Sequence, residues 1–264
     1  MYRRSLVAFA FSALTVVFSV SLAGAPQATT PAASTGQATP PQPAGGNSDI
    51  YRVSMFRAAP GKTGDLEKLL TTQAPSPGAG DGDFAVIFRH RQGNEWDFLT
   101  VEHMGQQATV DVRTGPPAQP DSPFSQSAAW HMDTFAAGPS LDEFRKALNL
   151  QAGAAQSGSA KPGAYVVGDY MAAAGHRGQL RQVLTDIAGD TPGRSVTLTH
   201  VEGAPWNFLT ITRYDSWQQF AQEEDTVSAG KTGTPDRGLA LREHMSVHHD
   251  TLVSVQKVWA SAAR

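Results

Sequence analysis

Cysteine is absent from all 264 residues. That excludes disulfides, thiol nucleophiles, zinc–thiolate centres and iron–sulfur clusters together. Charge is scarce as well: charged residues make up 17% of the chain, and 21 Lys+Arg stand against 24 Asp+Glu, a net charge of −3. With no basic excess to neutralise phosphates, nucleic acid is not expected as a partner. The chain also lacks a nucleophile-elbow serine, an H-E-x-x-H pair, a calcium loop and a dinucleotide fingerprint. Gly61-Lys62-Thr63 and Gly230-Lys231-Thr232 look like the tail of a phosphate loop. The glycine required five residues earlier is Phe56 in one and Asp225 in the other, so neither is one.

Long apolar runs are missing except at the start. Arg3-Arg4, the stretch Leu6–Val20 and Ala23-Gly24-Ala25 before Pro26 have the layout of a secretory signal peptide over residues 1–25. Cleavage there predicts an exported chain, periplasmic or extracellular, with no membrane span left. Leu6–Leu22 nearly spans a bilayer, so an uncleaved anchor is the alternative. Arg3-Arg4 leaves both Sec and twin-arginine export open. Losing Arg3 and Arg4 leaves 19 basic against 24 acidic residues, a net charge of −5. Pro26–Ser48 has five prolines, no charge and no aromatic residue, too little to bury against its conformational entropy, and reads as a disordered linker.

What is present is an internal repeat. Tyr51–Thr71 matches Tyr165–Thr185 with nine of 21 positions identical, including Gly61/Gly175, Gly64/Gly178 and Leu66/Leu180. His90-Arg-Gln-Gly93-Asn-Glu-Trp96-Asp-Phe98-Leu-Thr100 matches His200-Val-Glu-Gly203-Ala-Pro-Trp206-Asn-Phe208-Leu-Thr210. Trp130-His131-Met132-Asp133-Thr134-Phe135 matches Val247-His248-His249-Asp250-Thr251-Leu252. Three matches in one order give two domain-sized copies, residues 49–150 and 163–264, joined by a linker at 151–162.

Within each copy, Tyr51–Ala59 and Tyr165–Ala173 read as strands that stop at a glycine turn. The leucine spacing of Leu66, Leu69, Leu70 and of Leu180, Val183, Leu184, Ile187 predicts an amphipathic helix after each. Phe84–His90 with Trp96–His103, and Val196–Val201 with Trp206–Arg213, read as hairpins. Asp215 or Ser216 caps a helix carrying Trp217 and Phe220, and Asp133–Ala137 and Asp250–Val258 are the last strands. The order β-α-β-β-α-β is the ferredoxin-like split βαβ. The fold class is therefore α+β, with two such units packed sheet to sheet as a pseudo-symmetric barrel, because alternation makes both faces of each sheet apolar. At this point the chain resembles the dimeric α+β barrel superfamily, which includes antibiotic-biosynthesis-type monooxygenases, stress-responsive A/B barrels and chlorite-dismutase-like haem proteins. Here the barrel would be a tandem duplication in one chain. No catalytic signature of a member family is matched residue by residue.

Candidate chemistry lies in polar groups at positions where the pattern expects apolar ones. His90 and His200 share strand parity with Phe88 and Leu198 and would project from equivalent strand ends as ligand contacts or bases; the alternative is a structural role at a hairpin. Asp169 sits mid-strand where the other copy has Met55, as an acid/base group or an edge residue reaching solvent. His131, His248 and His249 are candidate ligand contacts, with a turn stabilised by Asp and Thr as the alternative reading of His-x-Asp-Thr. Trp96 and Trp206 are candidate ligand walls or core residues. If the segment before the last strand is helical, His244 and His248 are spaced to hold a metal or a haem edge.

Two functions follow. The first is an exported barrel binding a small apolar or aromatic molecule in the cleft between its half-sheets, without a cofactor. The alternative is an enzyme, a cofactor-independent monooxygenase or cyclase with a His or Asp base, with haem binding or a divalent metal as the lesser variant. A homo-oligomer stays open.

Overall fold

The computed structural model describes residues 48–72, 84–106, 122–150, 163–191, 193–228 and 237–260. The segments read as a signal peptide (1–25) and as a linker before Ser48, the 151–162 connection and Gly230–Thr232 lie outside them. Along the chain run β1 (Asp49–Ala58), α1 (Thr63–Thr72), β2 (Phe84–Gln92), β3 (Phe98–Gln106), α2 (Pro123–Ser127), β4 (Ala128–Gly138) and α3 (Leu141–Leu148). There follow β5 (Ala164–Ala172), α4 (Arg177–Asp190), β6 (Ser195–Glu202), β7 (Phe208–Tyr214), α5 (Trp217–Ser228), α6 (Arg237–His244) and β8 (Met245–Ala260). The strands form one closed antiparallel barrel in the order β1-β3-β2-β8-β5-β7-β6-β4. Each half thus has the order 4-1-3-2, and the halves join edge to edge at the β2–β8 and β4–β6 seams.

Alternation along the strands decides what lies inside. Tyr51, Val53 and Met55 of β1, Phe84, Val86 and Phe88 of β2, and Tyr165 and Val167 of β5 belong to one interior core. On the outer face, Phe56, Ala58 and Phe98 pack under Leu66 and Leu70 of α1, and Tyr170 and Phe208 pack under Leu180 and Leu184 of α4. Both faces of the sheet are therefore buried, as their composition requires. The turns into these helices pass through Gly61 and Gly175, both at positive φ. Trp96 packs inside whereas Phe98 packs outside. β3 begins only at Phe98, so the alternation does not extend back to Trp96.

α3 was not expected from periodicity. Ser140 and Glu143 form a reciprocal capping box at its start, and Asn149 ends it in the left-handed region. Phe144 stacks on Tyr51 at 4.9 Å and meets Phe84 edge-on at 5.9 Å, while the Tyr165 hydroxyl donates to the Leu148 carbonyl. Asp49 accepts the Leu141 N–H at 2.8 Å. The helix therefore lies across the barrel end at which Tyr51, Phe84 and Tyr165 point inward, and closes it. Burying Phe144 there contributes about 2–3 kcal/mol. Burial pushes the Tyr165 hydroxyl up to about 12, and it remains a donor at any working pH.

The repeated His-x-Asp-Thr lies within β4 and β8, not in a turn before them. Its threonines fasten the opposite half. Buried Thr251 accepts the Asn94 N–H at 3.4 Å, and buried Thr134 accepts the Ala204 N–H at 3.1 Å. Gly93 and Gly203, at φ +127 and +115, bring each hairpin loop so close to the Asp250 and Asp133 carbonyls that a Cβ would collide with them. Each hairpin loop thereby clasps the last strand of the other half.

Candidate functional site

The barrel end opposite α3 is open and holds a cavity of about 370 Å³ lined by Met55, Trp96, Trp130, Met132, Asn94, Glu95, Asp169, Met171, Pro205, Trp206, Val247 and His249. The volume suits a small ligand, and half of the lining residues are methionines and tryptophans. Alternation explains the set: Met55, Asp169, Met171, Trp130, Met132, Val247 and His249 are the inward positions at the open ends of β1, β5, β4 and β8, and the two hairpin loops supply the rest.

Asp169 and His249 meet here. They are register partners across β5–β8, and His249 Nδ1 lies 3.1 Å from Asp169 Oδ2. The other carboxylate oxygen, Oδ1, accepts the Asn94 side-chain amide at 3.1 Å. Asp169 is largely shielded, its side chain 15% exposed, while His249 is 49% exposed at the opening. An ionised carboxylate only accepts, so the neutral imidazole carries its proton on Nδ1 and turns the Nε2 lone pair away from Asp169. A base with an oriented ring results.

The other half has no such group. The residues corresponding to Asp169, His249 and Asn94 are Met55, Met132 and Ala204, and Met55 and Met132 are register partners across β1–β4 in the same way. The cavity has one polar wall and one apolar wall.

The remaining candidates are placed as follows. Trp96 and Trp206 line the cavity. His90 and His200 stand edge-on against them, each with ring centroids 5.8 Å from its tryptophan, and do not line it. Both Nε2 atoms are buried with no hydrogen-bond partner, and burial holds both imidazoles below the usual histidine range. They are neutral packing groups behind the indoles. His131 and His248 occupy the outward face. His131 stacks on Phe56, and His248 stacks on Tyr170 with its Nε2 2.9 Å from Asp250, which raises its pKa.

The helical spacing proposed for His244 and His248 does not occur, because His244 ends α6 and His248 lies in β8. His244 instead meets His176 with their Nδ1 atoms 3.0 Å apart. Among the described residues no three His, Asp or Glu side chains form a group that could hold a metal ion.

Sequence reasoning missed Asn94, Trp130 and the three methionines. The signal for Asn94 was available, since the hairpin alignment sets it against Ala204 in the way that Asp169 is set against Met55.

No protein-family model and no curated protein matches the chain. Among solved structures, an anthrone oxidase-like protein superposes with a TM-score of 0.59 at 10% identity, over 83% of this chain and 95% of that one. A candidate monooxygenase from Lactobacillus acidophilus NCFM gives a TM-score of 0.43 at 9% identity, over 82% of this chain and 98% of that one. Another from Fusobacterium nucleatum gives 0.46 at 10%, over 83% and 97%. The first of these likenesses establishes the α+β barrel fold and nothing finer.

Proposed function

We propose that the open end of the barrel binds one small, flat aromatic molecule and that His249, oriented by Asp169, removes an acidic proton from it. The observation that carries this reading is the hydrogen-bonded Asp169–His249 pair set in a wall of indole and thioether groups. Trp96, Trp130 and Trp206 line the cavity with indole, and Met55, Met132 and Met171 line it with adaptable thioether. Once the proton moves to His249 Nε2, the positive imidazolium is stabilised by the Asp169 carboxylate beside it. The aromatic anion left behind is electron-rich, the form in which such compounds react directly with dioxygen. The name of the anthrone oxidase-like structure fits chemistry of this class. The sequence repeat supports a tandem duplication as the origin of the two halves, and the N-terminal signal layout supports export of the mature barrel.

Anthrone is the probe that tests this. In deuterated buffer without oxygen, proton exchange at its acidic carbon is followed by NMR alone and with the protein, beside calorimetric titration. Saturable 1:1 binding and accelerated exchange that H249A removes are expected. If anthrone and other fused-ring phenols neither bind nor exchange faster, or if H249A exchanges them equally well, the reading is overturned. Intact-mass analysis of the native protein tests export: a chain beginning near Pro26 supports it, and a full-length membrane-bound chain overturns it.

A further inference from the structure

We infer that Asn94 is a positioning residue through which the N-terminal half fixes the rotamer of Asp169, and through it the ring of His249, so that the polar wall is built by both halves and complete in neither. The inference rests on the function proposed above in one respect only, that the Asp169–His249 pair acts on a ligand; the placement itself is independent of any ligand.

Three contacts determine what Asn94 can do. Its backbone N–H is held by Thr251 Oγ1, in the clasp between the β2–β3 loop and β8. Its side-chain oxygen accepts the N–H of the adjacent residue, Glu95, at 2.7 Å. With the oxygen so engaged, the amide orientation is determined, and Nδ2 points at Asp169 Oδ1 at 3.1 Å. One carboxylate oxygen is thus occupied from the loop side, leaving Oδ2 facing His249. Gly93 immediately before it allows the loop to come this close to the Asp250 backbone. The clasp in the other half repeats the glycine and the threonine contact but carries Ala204 where Asn94 stands, so it fastens the barrel with no side-chain amide to donate towards β1.

This gives the two clasps different duties. Both close the barrel, and only one also orients a polar group.

The test separates the Glu95 contact from the donor. N94D keeps an oxygen for the Glu95 N–H and loses the donor to Asp169; N94A loses both. Long-range proton–nitrogen NMR of the His249 ring, without ligand, reports the tautomer. The wild type should show a single Nδ1–H form at high pH. N94D and N94A should both give mixed tautomers, because each removes the donor that holds Asp169 Oδ1, each with a melting temperature within a few degrees of wild type. In the anthrone exchange assay both variants should lose about tenfold in rate at unchanged affinity. If both variants leave the His249 tautomer unchanged, the inference falls, whatever anthrone does. If they shift His249 as expected while anthrone never binds, Asn94 keeps its role and the ligand reading falls instead.

Discussion

His249 stands opposite Asp169 across β5–β8 as Met132 stands opposite Met55 across β1–β4. The two pairs occupy equivalent places at the mouth of one barrel, one hydrogen-bonded and the other apolar. A ligand entering between them meets a surface that distinguishes its two edges.

Removing the base should separate chemistry from stability. H249A, and D169N in the same series, should lower anthrone exchange about 100-fold or more, the usual range for losing a general base. Because His249 is half exposed, thermal unfolding should move little for H249A. Rate and melting measurements on one preparation check both halves of this expectation.

The apolar wall should accept a copy of the polar one only as a unit. M55D alone places a carboxylate at a position 3% exposed with no partner and should destabilise the barrel by several kcal/mol. Adding M132H and A204N recreates the three-residue arrangement and should recover about 0.5–3 kcal/mol of that loss. Urea unfolding of the single, double and triple variants measures the coupling, and strict additivity would refute it.

Acid should weaken the barrel through His90 and His200. Burial depresses both, so below about pH 6.5 the unfolded chain takes up protons that the folded one resists. Their contribution is complete above that pH and is lost as pH falls through the folded values. His248 behaves oppositely: raised by Asp250, it stabilises in full below about pH 6.5, and that contribution is lost as pH rises through its folded pKa. H90N/H200N should therefore flatten the fall in urea midpoint between pH 7 and pH 5, and an unchanged slope would count against this account.

The clasp glycines and the plug should carry measurable stability. G93A and G203A each force a Cβ into a carbonyl at positive φ, expected to cost about 1–3 kcal/mol. G93A should also slow anthrone exchange, because Asn94 follows it, whereas G203A should not. F144A should cost about 3–5 kcal/mol by opening the closed end. Chemical denaturation ranks all three.

Much of the fold was legible because the repeat exposed it. Two halves sharing Gly61/Gly175 and Leu66/Leu180 reveal the first strand and helix twice, and the alternation in Phe84–Phe88 reveals a sheet with two apolar faces. α3 escaped because eight residues are too short for a convincing stripe, although Ser140 and Glu143 announced its start. The site was half legible. Asp169 and His249 stood out as polar residues aligned with methionines, yet nothing in the sequence said that they are neighbours, since that pairing depends on the β5–β8 register. His131 and His248 looked equally suitable and proved to face outward, because a one-residue step along a strand reverses the face.

β8 pairs with β5 in its own half and with β2 at the seam, where Val86 meets Val258. The β2–β8 contacts join segments far apart in the chain, and the entropy of bringing them together must be met before they reward folding. During synthesis, β2 and β5 therefore keep open edges until β8 emerges, and holding the unfinished chain away from its neighbours matters most in that interval. His249 rides on that same strand, so the residue proposed as the base arrives with the segment that seals the barrel around it.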